Sequence, residues 1–170
     1  MSDALSMTYE GARGQTAEEI ATVLHLPEDE SVRRPAFAKI INLLNAPGKS
    51  YQLSTANALW AEQTYKFLDE YFNVVSDYYL GGVTNMDFIN DAEGARQTIN
   101  AWVEDQTNDK IKDLIPQGIL NSMTSLVLTN AIYFKGNWAL QFNESDTHDV
   151  DFRVSPSKTV TVDMMSQLGE

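Results

Sequence analysis

LTNAIYFKGNW, residues 128–138, is the stretch on which the fold turns. Together with the preceding Ser125, Leu126 and Val127 it is rich in β-branched and aromatic side chains, and SLVLTNAIYF predicts a long strand over 125–134. Asn130 puts an amide at mid-strand, and the run stops on Gly136 with the large aromatic Trp138 two positions on. A buried amide demands hydrogen-bond partners. Asn130 is therefore either an ordinary satisfied polar group at a strand edge or part of a bonded network within a sheet.

Downstream, FRVSPSKTVTVDMM (152–165) predicts two strands about a Ser-Pro turn, the second alternating through Val160, Val162 and Met164. Upstream, DLIPQGILNSMT (113–124) is broken into a loop by Pro116 and Gly118. Before it lies the clearest helix, NDAEGARQTINAWVEDQTNDKI (90–111). Asn90 is placed to cap it with Glu93 as reciprocal partner, and Ala95, Ile99, Trp102, Val103 and Gln106 form one apolar stripe. Arg96, Asn100, Glu104 and Asp105 fall on the opposite, wet face, so this helix lies against something flat with Trp102 as a structural anchor.

Further back, VTNMDF (83–88) predicts a short strand, and Leu68, Tyr71, Phe72, Val75 and Tyr79 recur at helical spacing until Gly81-Gly82 ends the helix. YQLSTANALWAEQ predicts a strand over 51–61. A helix over 34–45 presents Phe37, Ile40, Ile41 and Leu44 on one side and closes at Ala46-Pro47-Gly48. Another starts at Thr16, with Glu19 completing a capping box, takes its apolar face from Ile20, Val23 and Leu24, and stops at Pro27. The order of elements makes a mixed α+β domain. A doubly wound nucleotide fold would need a short glycine loop from strand to helix, and none occurs.

At 170 residues and 43% hydrophobic, the chain can bury a sizeable core. Its 12 basic and 24 acidic side chains give a net charge of -12, which repels phosphate backbones and anionic lipid, so neither nucleic acid nor a membrane is expected as a partner. No stretch approaches the roughly 20 apolar residues of a membrane span. The absence of cysteine excludes disulfides, thiolate chemistry and sulfur-bound zinc. His25 and His148 are far apart in sequence, and no HExxH, calcium loop, Walker segment or GxSxG elbow occurs, so no catalytic residue, metal or cofactor is expected. Glu104, Asp105 and Asp109 could be drawn together as paired carboxylates, but so acidic a chain places acids side by side by chance. Asn143-Glu144-Ser145 is an N-glycosylation acceptor sequence.

Five blocks, in order and with compatible spacing, resemble the serpin family of serine protease inhibitors. They are ALSMTYEGARGQTAEEI (4–20), YQLSTANALWAEQTYKF (51–67), YYLGGVTNMDF (78–88), INAWVEDQTNDKIKDLIP (99–116) and LTNAIYFKGNWALQF (128–142), followed by DFRVSPSKTVTVDMM (151–165). The resemblance implies a serpin-like fold with helices packed on a central sheet A. It matches 4–9 to the end of helix B, 16–24 to helix C, 35–45 to helix D, 68–79 to helix E and 90–107 to helix F, which crosses sheet A. Strands 1, 2 and 3 of sheet A correspond to 83–88, 51–61 and 126–134, and the last strand pair begins sheet C. Residues 1–170 would then be an incomplete domain, starting in helix B, ending in sheet C and lacking the reactive centre loop.

Serpins act as suicide substrates. The target protease cleaves the exposed reactive centre loop, which inserts between strands 3 and 5 of sheet A and drags the attached protease along; the fold is metastable beforehand. Asn130 matches the asparagine of the shutter, where the sheet parts, and Trp138 the tryptophan of the breach, where the loop enters. Gly136 would let the backbone turn where a side chain would crowd Trp138, whose ring then covers the strand end. The resemblance thus implies a parent that inhibits a serine protease and is no enzyme, while the 170 residues alone are expected to be inactive. A non-inhibitory binding or chaperone protein of the same fold is the alternative. An inner strand with one bare edge is expected to make the isolated chain self-associate. Most members are extracellular and some are cytoplasmic; an extracellular location is expected.

Overall fold

The computed structural model describes residues 2–167, and the chain divides into two units, Met1–Lys135 and Gly136–Glu170. In the first unit the strand-forming run at 51–62 becomes the centre of the architecture. β1 (Tyr51–Glu62) is buried from Asn57 onward because helices cover both of its faces. Pleating sorts its side chains to alternate sides. Leu59 and Ala61 enter one core with Met7, Ile41, Val74, Val75 and Tyr79, supplied by α1 (Ser2–Gly11), α3 (Glu30–Asn45) and α4 (Asp69–Tyr79). Ala58 and Trp60 enter a second core with Phe88, Ala95 and Ile99 of α5 (Phe88–Gln106) and with Ile115 of the loop after it.

Two strands flank β1 in the order β2-β1-β3. β2 (Gly82–Met86) is parallel to it, with Ala58 opposite Gly82 and Glu62 opposite Met86, and α4 makes the crossover that a parallel pair needs. β3 (Leu126–Gly136) runs the opposite way: Glu62 N donates to Ser125 O at 2.9 Å, while Asn57 meets Asn130. In the second unit, β4 (His148–Ser155) and β5 (Lys158–Met164) form an antiparallel hairpin registered from His148 opposite Met164 to Ser155 opposite Lys158. The expected α+β architecture is therefore present, as helices on a three-stranded sheet with a smaller sheet beside them in sequence.

Several local expectations are corrected. α2 (Gly14–Leu24) starts before Thr16, its N-cap Arg13 makes no side-chain cap bond, and Glu19 instead accepts from Gln15 Nε2 at 2.8 Å, so there is no capping box. α3 begins at Glu30 rather than residue 34, because Asp29 caps it through Ser31 N at 2.8 Å, and the helix continues through Pro35. Ile40, expected on its inner side, is 53% exposed. α4 ends on Leu80 in the left-handed region (φ 51) rather than on the glycine pair. Gly81 is required for space instead: a Cβ there would stand 2.8 Å from Val75 Cγ1 and 3.2 Å from Met7 Sδ.

β2 stops at Met86, and Phe88 starts α5 instead of ending the strand. Glu62 Oε2 accepts the Phe88 N–H at 2.7 Å and the ring is fully buried, which turns the chain inward. Asp87 then caps Asn90 N at 2.9 Å, and after a kink at Asp91 (φ -139, ψ 58) the Asp91 carboxylate caps Gly94 N at 2.9 Å. The capping residues are thus Asp87 and Asp91, not Asn90, and Glu93 pairs with Arg96 at 2.7 Å. Asn100, expected to face water, is 5% exposed. Its amide accepts from Ile115 N at 2.9 Å and donates to Ile115 O at 3.0 Å, which holds the loop after α5 as a backbone partner would.

Candidate functional site

β3 carries the residues that the sequence singles out. Leu126 and Leu128 pack into the core below α1, α3 and α4, whereas Val127 packs into the core below α5. Alternation therefore sends Asn130 to the first face and Thr129 to the second. On the first face, Asn130 Nδ2 donates to Asn57 Oδ1 at 2.7 Å, and Asn57 Nδ2 donates to the Tyr79 carbonyl at 3.2 Å. The amide pair joins β3 to β1 and ties both to the last residue of α4. Asn57 is 3% exposed, so its carbonyl and amide would be stranded without these partners.

On the second face, at the same level of the sheet, Trp60 Nε1 donates to Thr129 Oγ1 at 3.0 Å, and Thr129 Oγ1 donates to the Ala58 carbonyl at 3.4 Å. Trp102 of α5 meets Trp60 edge to face, with ring centroids 5.6 Å apart and planes at 80°. This geometry suits the quadrupoles of the two rings. β1 and β3 are thus fastened by side chains on both faces, over and above their backbone ladder.

Behind the amide pair lies a buried ionic cluster. The Tyr79 hydroxyl donates to Glu10 Oε1 at 2.8 Å, Arg33 Nε donates to the same oxygen at 3.1 Å, and Arg34 Nε donates to Glu10 Oε2 at 3.0 Å. Arg33 also donates to the Pro27 carbonyl at 2.8 Å and lies over the Tyr9 ring, 4.6 Å from its centroid. Burial works to raise the Glu10 pKa, but the hydrogen bonds from Arg33, Tyr79 and Arg34 and the Arg33 charge hold it below its ordinary value. Burial pushes the Tyr79 phenol up, and the Glu10 carboxylate adds to the shift. Tyr71 is pushed up to about 12 by burial and then by Glu10. Glu10 remains charged and Tyr79 neutral at physiological pH, so α1, α3 and α4 are clasped at one point.

The structure brings Asn130 together with Asn57, and Trp102 with Trp60. Gly136 is the last residue of β3, and Trp138, in the second unit, is 73% exposed. Asn57 was missed in the sequence although it carries the same signal as Asn130, a lone amide inside an apolar strand, in STANALW. The Glu10 cluster had no usable signal, because 24 acidic side chains offer each arginine many candidate partners. Chemically the site holds neutral amides, an indole and a hydroxyl, groups that make and exchange hydrogen bonds. Among the described residues, no three His, Cys, Asp or Glu side chains are grouped so as to hold a metal ion.

A protein-family model described as Serpin (serine protease inhibitor) matches residues 1–170. A serpin-like protein of Thermococcus kodakarensis is 48% identical over 169 residues, which is 98% of this chain and 39% of the relative. The leukocyte elastase inhibitor of Bos taurus is 41% identical over 167 residues, 98% of this chain and 44% of the relative. Among solved structures, ovalbumin from emu (Dromaius novaehollandiae) superposes with a TM-score of 0.91 at 35% identity, covering 99% of this chain and 47% of the ovalbumin. The chain thus spans less than half the length of each of these relatives.

Proposed function

The chain belongs to the serpin family, and on that premise we propose that the parent protein inhibits a serine protease as a suicide substrate. The observation that carries this proposal beyond family membership is the Asn57–Asn130 bond at mid-sheet. A sheet that must part to admit a new strand has to part at one place only. Side-chain bonds on both faces make β1 and β3 move as one body, so a larger sheet would yield at the other edge of β3. Asn130 is then the shutter residue with Asn57 as its partner, Trp138 the breach residue, and Gly136 and Trp102 structural supports.

The strand that would face β3 across the opening is not among the described strands, and the chain spans 39% of its Thermococcus relative. The 170 residues alone are accordingly proposed to be inactive, and the protease to be engaged by a reactive centre loop elsewhere in the parent. Export from the cell is proposed by analogy with most of the family.

Incubation of the full-length parent with trypsin-like, chymotrypsin-like and subtilisin-like proteases tests inhibition directly. A covalent complex that survives a denaturing gel is expected with one of them. Cleavage without a complex in every case would overturn inhibition and favour the binding or chaperone role.

A further inference from the structure

Asn143, Glu144 and Ser145 are exposed and belong to no strand. Asn143 is extended (φ -80, ψ 124) just before the 3-10 turn Glu144–Asp146, and its Oδ1 accepts the Ser145 N–H at 3.1 Å. The turn engages the amide oxygen and leaves Asn143 Nδ2 and Ser145 Oγ without a hydrogen-bond partner among the described residues. Other asparagines commit their Nδ2 to protein acceptors: Asn57 to Tyr79, Asn100 to Ile115 and Asn130 to Asn57. Asn143 is also the one asparagine in the sequence with Ser or Thr two positions on and no proline between.

We propose that Asn143 is a site of N-linked glycosylation, the donor being a polyprenyl phosphate- or pyrophosphate-linked oligosaccharide. Nδ2 attacks the anomeric carbon and forms the C–N bond. The bond from that carbon to the donor's phosphate oxygen breaks, the polyprenyl phosphate or pyrophosphate leaves with the electron pair, and the amide proton passes to a base on the transferase. Oxidation states do not change. Because all three residues of the acceptor sequence are exposed, the sugar requires no core side chain to move. The proposal rests on export of the protein and is independent of inhibition.

The chain contains its own comparison. Asn121 makes the same turn, its Oδ1 accepting the Met123 N–H at 2.9 Å, but Met123, 85% exposed, supplies no hydroxyl. The full-length protein, given a secretory leader and produced in a host that glycosylates a control acceptor protein, is weighed intact. One glycan mass is expected on the wild type, lost in Asn143→Gln and Ser145→Ala and kept in Ser145→Thr. A secreted, folded wild type of bare-chain mass beside a glycosylated control overturns the proposal. So does a Met123→Thr variant that carries a glycan at Asn121 while Asn143 stays bare. Because the leader is supplied, these results do not depend on the natural route of export, and the protease assay reads inhibition separately.

Discussion

Glu10 stands at 6% exposure between two arginines and a tyrosine, and most of its effect on stability comes from leaving none of these groups alone. Replacing it with glutamine leaves Arg33, itself 2% exposed, without its counter-charge; breaking a buried pair in this way costs about 3–5 kcal/mol. The pH dependence follows from the depressed carboxyl. A group whose pKa is lower folded than unfolded stabilises fully above its unfolded value, here an ordinary 4.5, and that contribution is lost as pH falls through the folded value. The thermal midpoints of wild type and Glu10→Gln are expected to lie far apart at neutral pH and to converge in acid. A gap that stays constant down to pH ~3 would show that the charge is not what stabilises. At this scale the sequence was informative for amides but not for ions. Asn57 and Asn130 are conspicuous inside apolar strands, whereas nothing in GARGQ or SVRRP says which arginine meets which acid.

α5 shows why an element can be foreseen while its start is not. The stripe of Ala95, Ile99 and Val103 is buried as its spacing requires. The start depends on Glu62, 26 residues earlier, accepting the Phe88 N–H, and on Asp91 kinking the first turn. Asp87, Asn90 and Asp91 are all good caps, so propensity cannot rank them. Asp91→Ala is expected to cost about 1 kcal/mol in urea unfolding of the full-length protein, the usual value of a helix cap. Gly94→Ala should act through the same bond, since its Cβ would collide with the Asp91 carboxylate. The double variant should therefore lose less than the sum of the two, and strict additivity would refute the shared cap. Asn100 was misplaced for a related reason: a helical wheel assigns faces, but it does not know that the loop at Ile115 folds back onto the wet side.

Among the described residues, the consequence of the topology is an open edge. β3 ends the order β2-β1-β3, and Ile132 and Phe134 upon it are 52% and 65% exposed. An apolar edge strand with unpaired backbone groups invites pairing with another chain. The 170-residue chain in isolation is expected to sediment mainly as oligomers, and Ile132→Lys with Phe134→Glu should shift most of it to monomer. A monomeric wild type with a sharp cooperative melt would contradict this. The sequence by itself determined the kinds and order of the elements and the suspicion attached to Asn130, because periodicity, strand propensity and buried amides are local signals, and it pointed to the family through the five blocks that resemble serpins. Only the tertiary structure decided that Asn57 is the partner of Asn130, that Thr129 and Trp60 fasten the opposite face, and that Glu10 gathers Arg33, Arg34 and Tyr79. Those partners lie 23 to 73 positions apart in sequence. No local rule reaches so far; the pairing is set by strand register and by the need to satisfy every polar group that the two cores enclose.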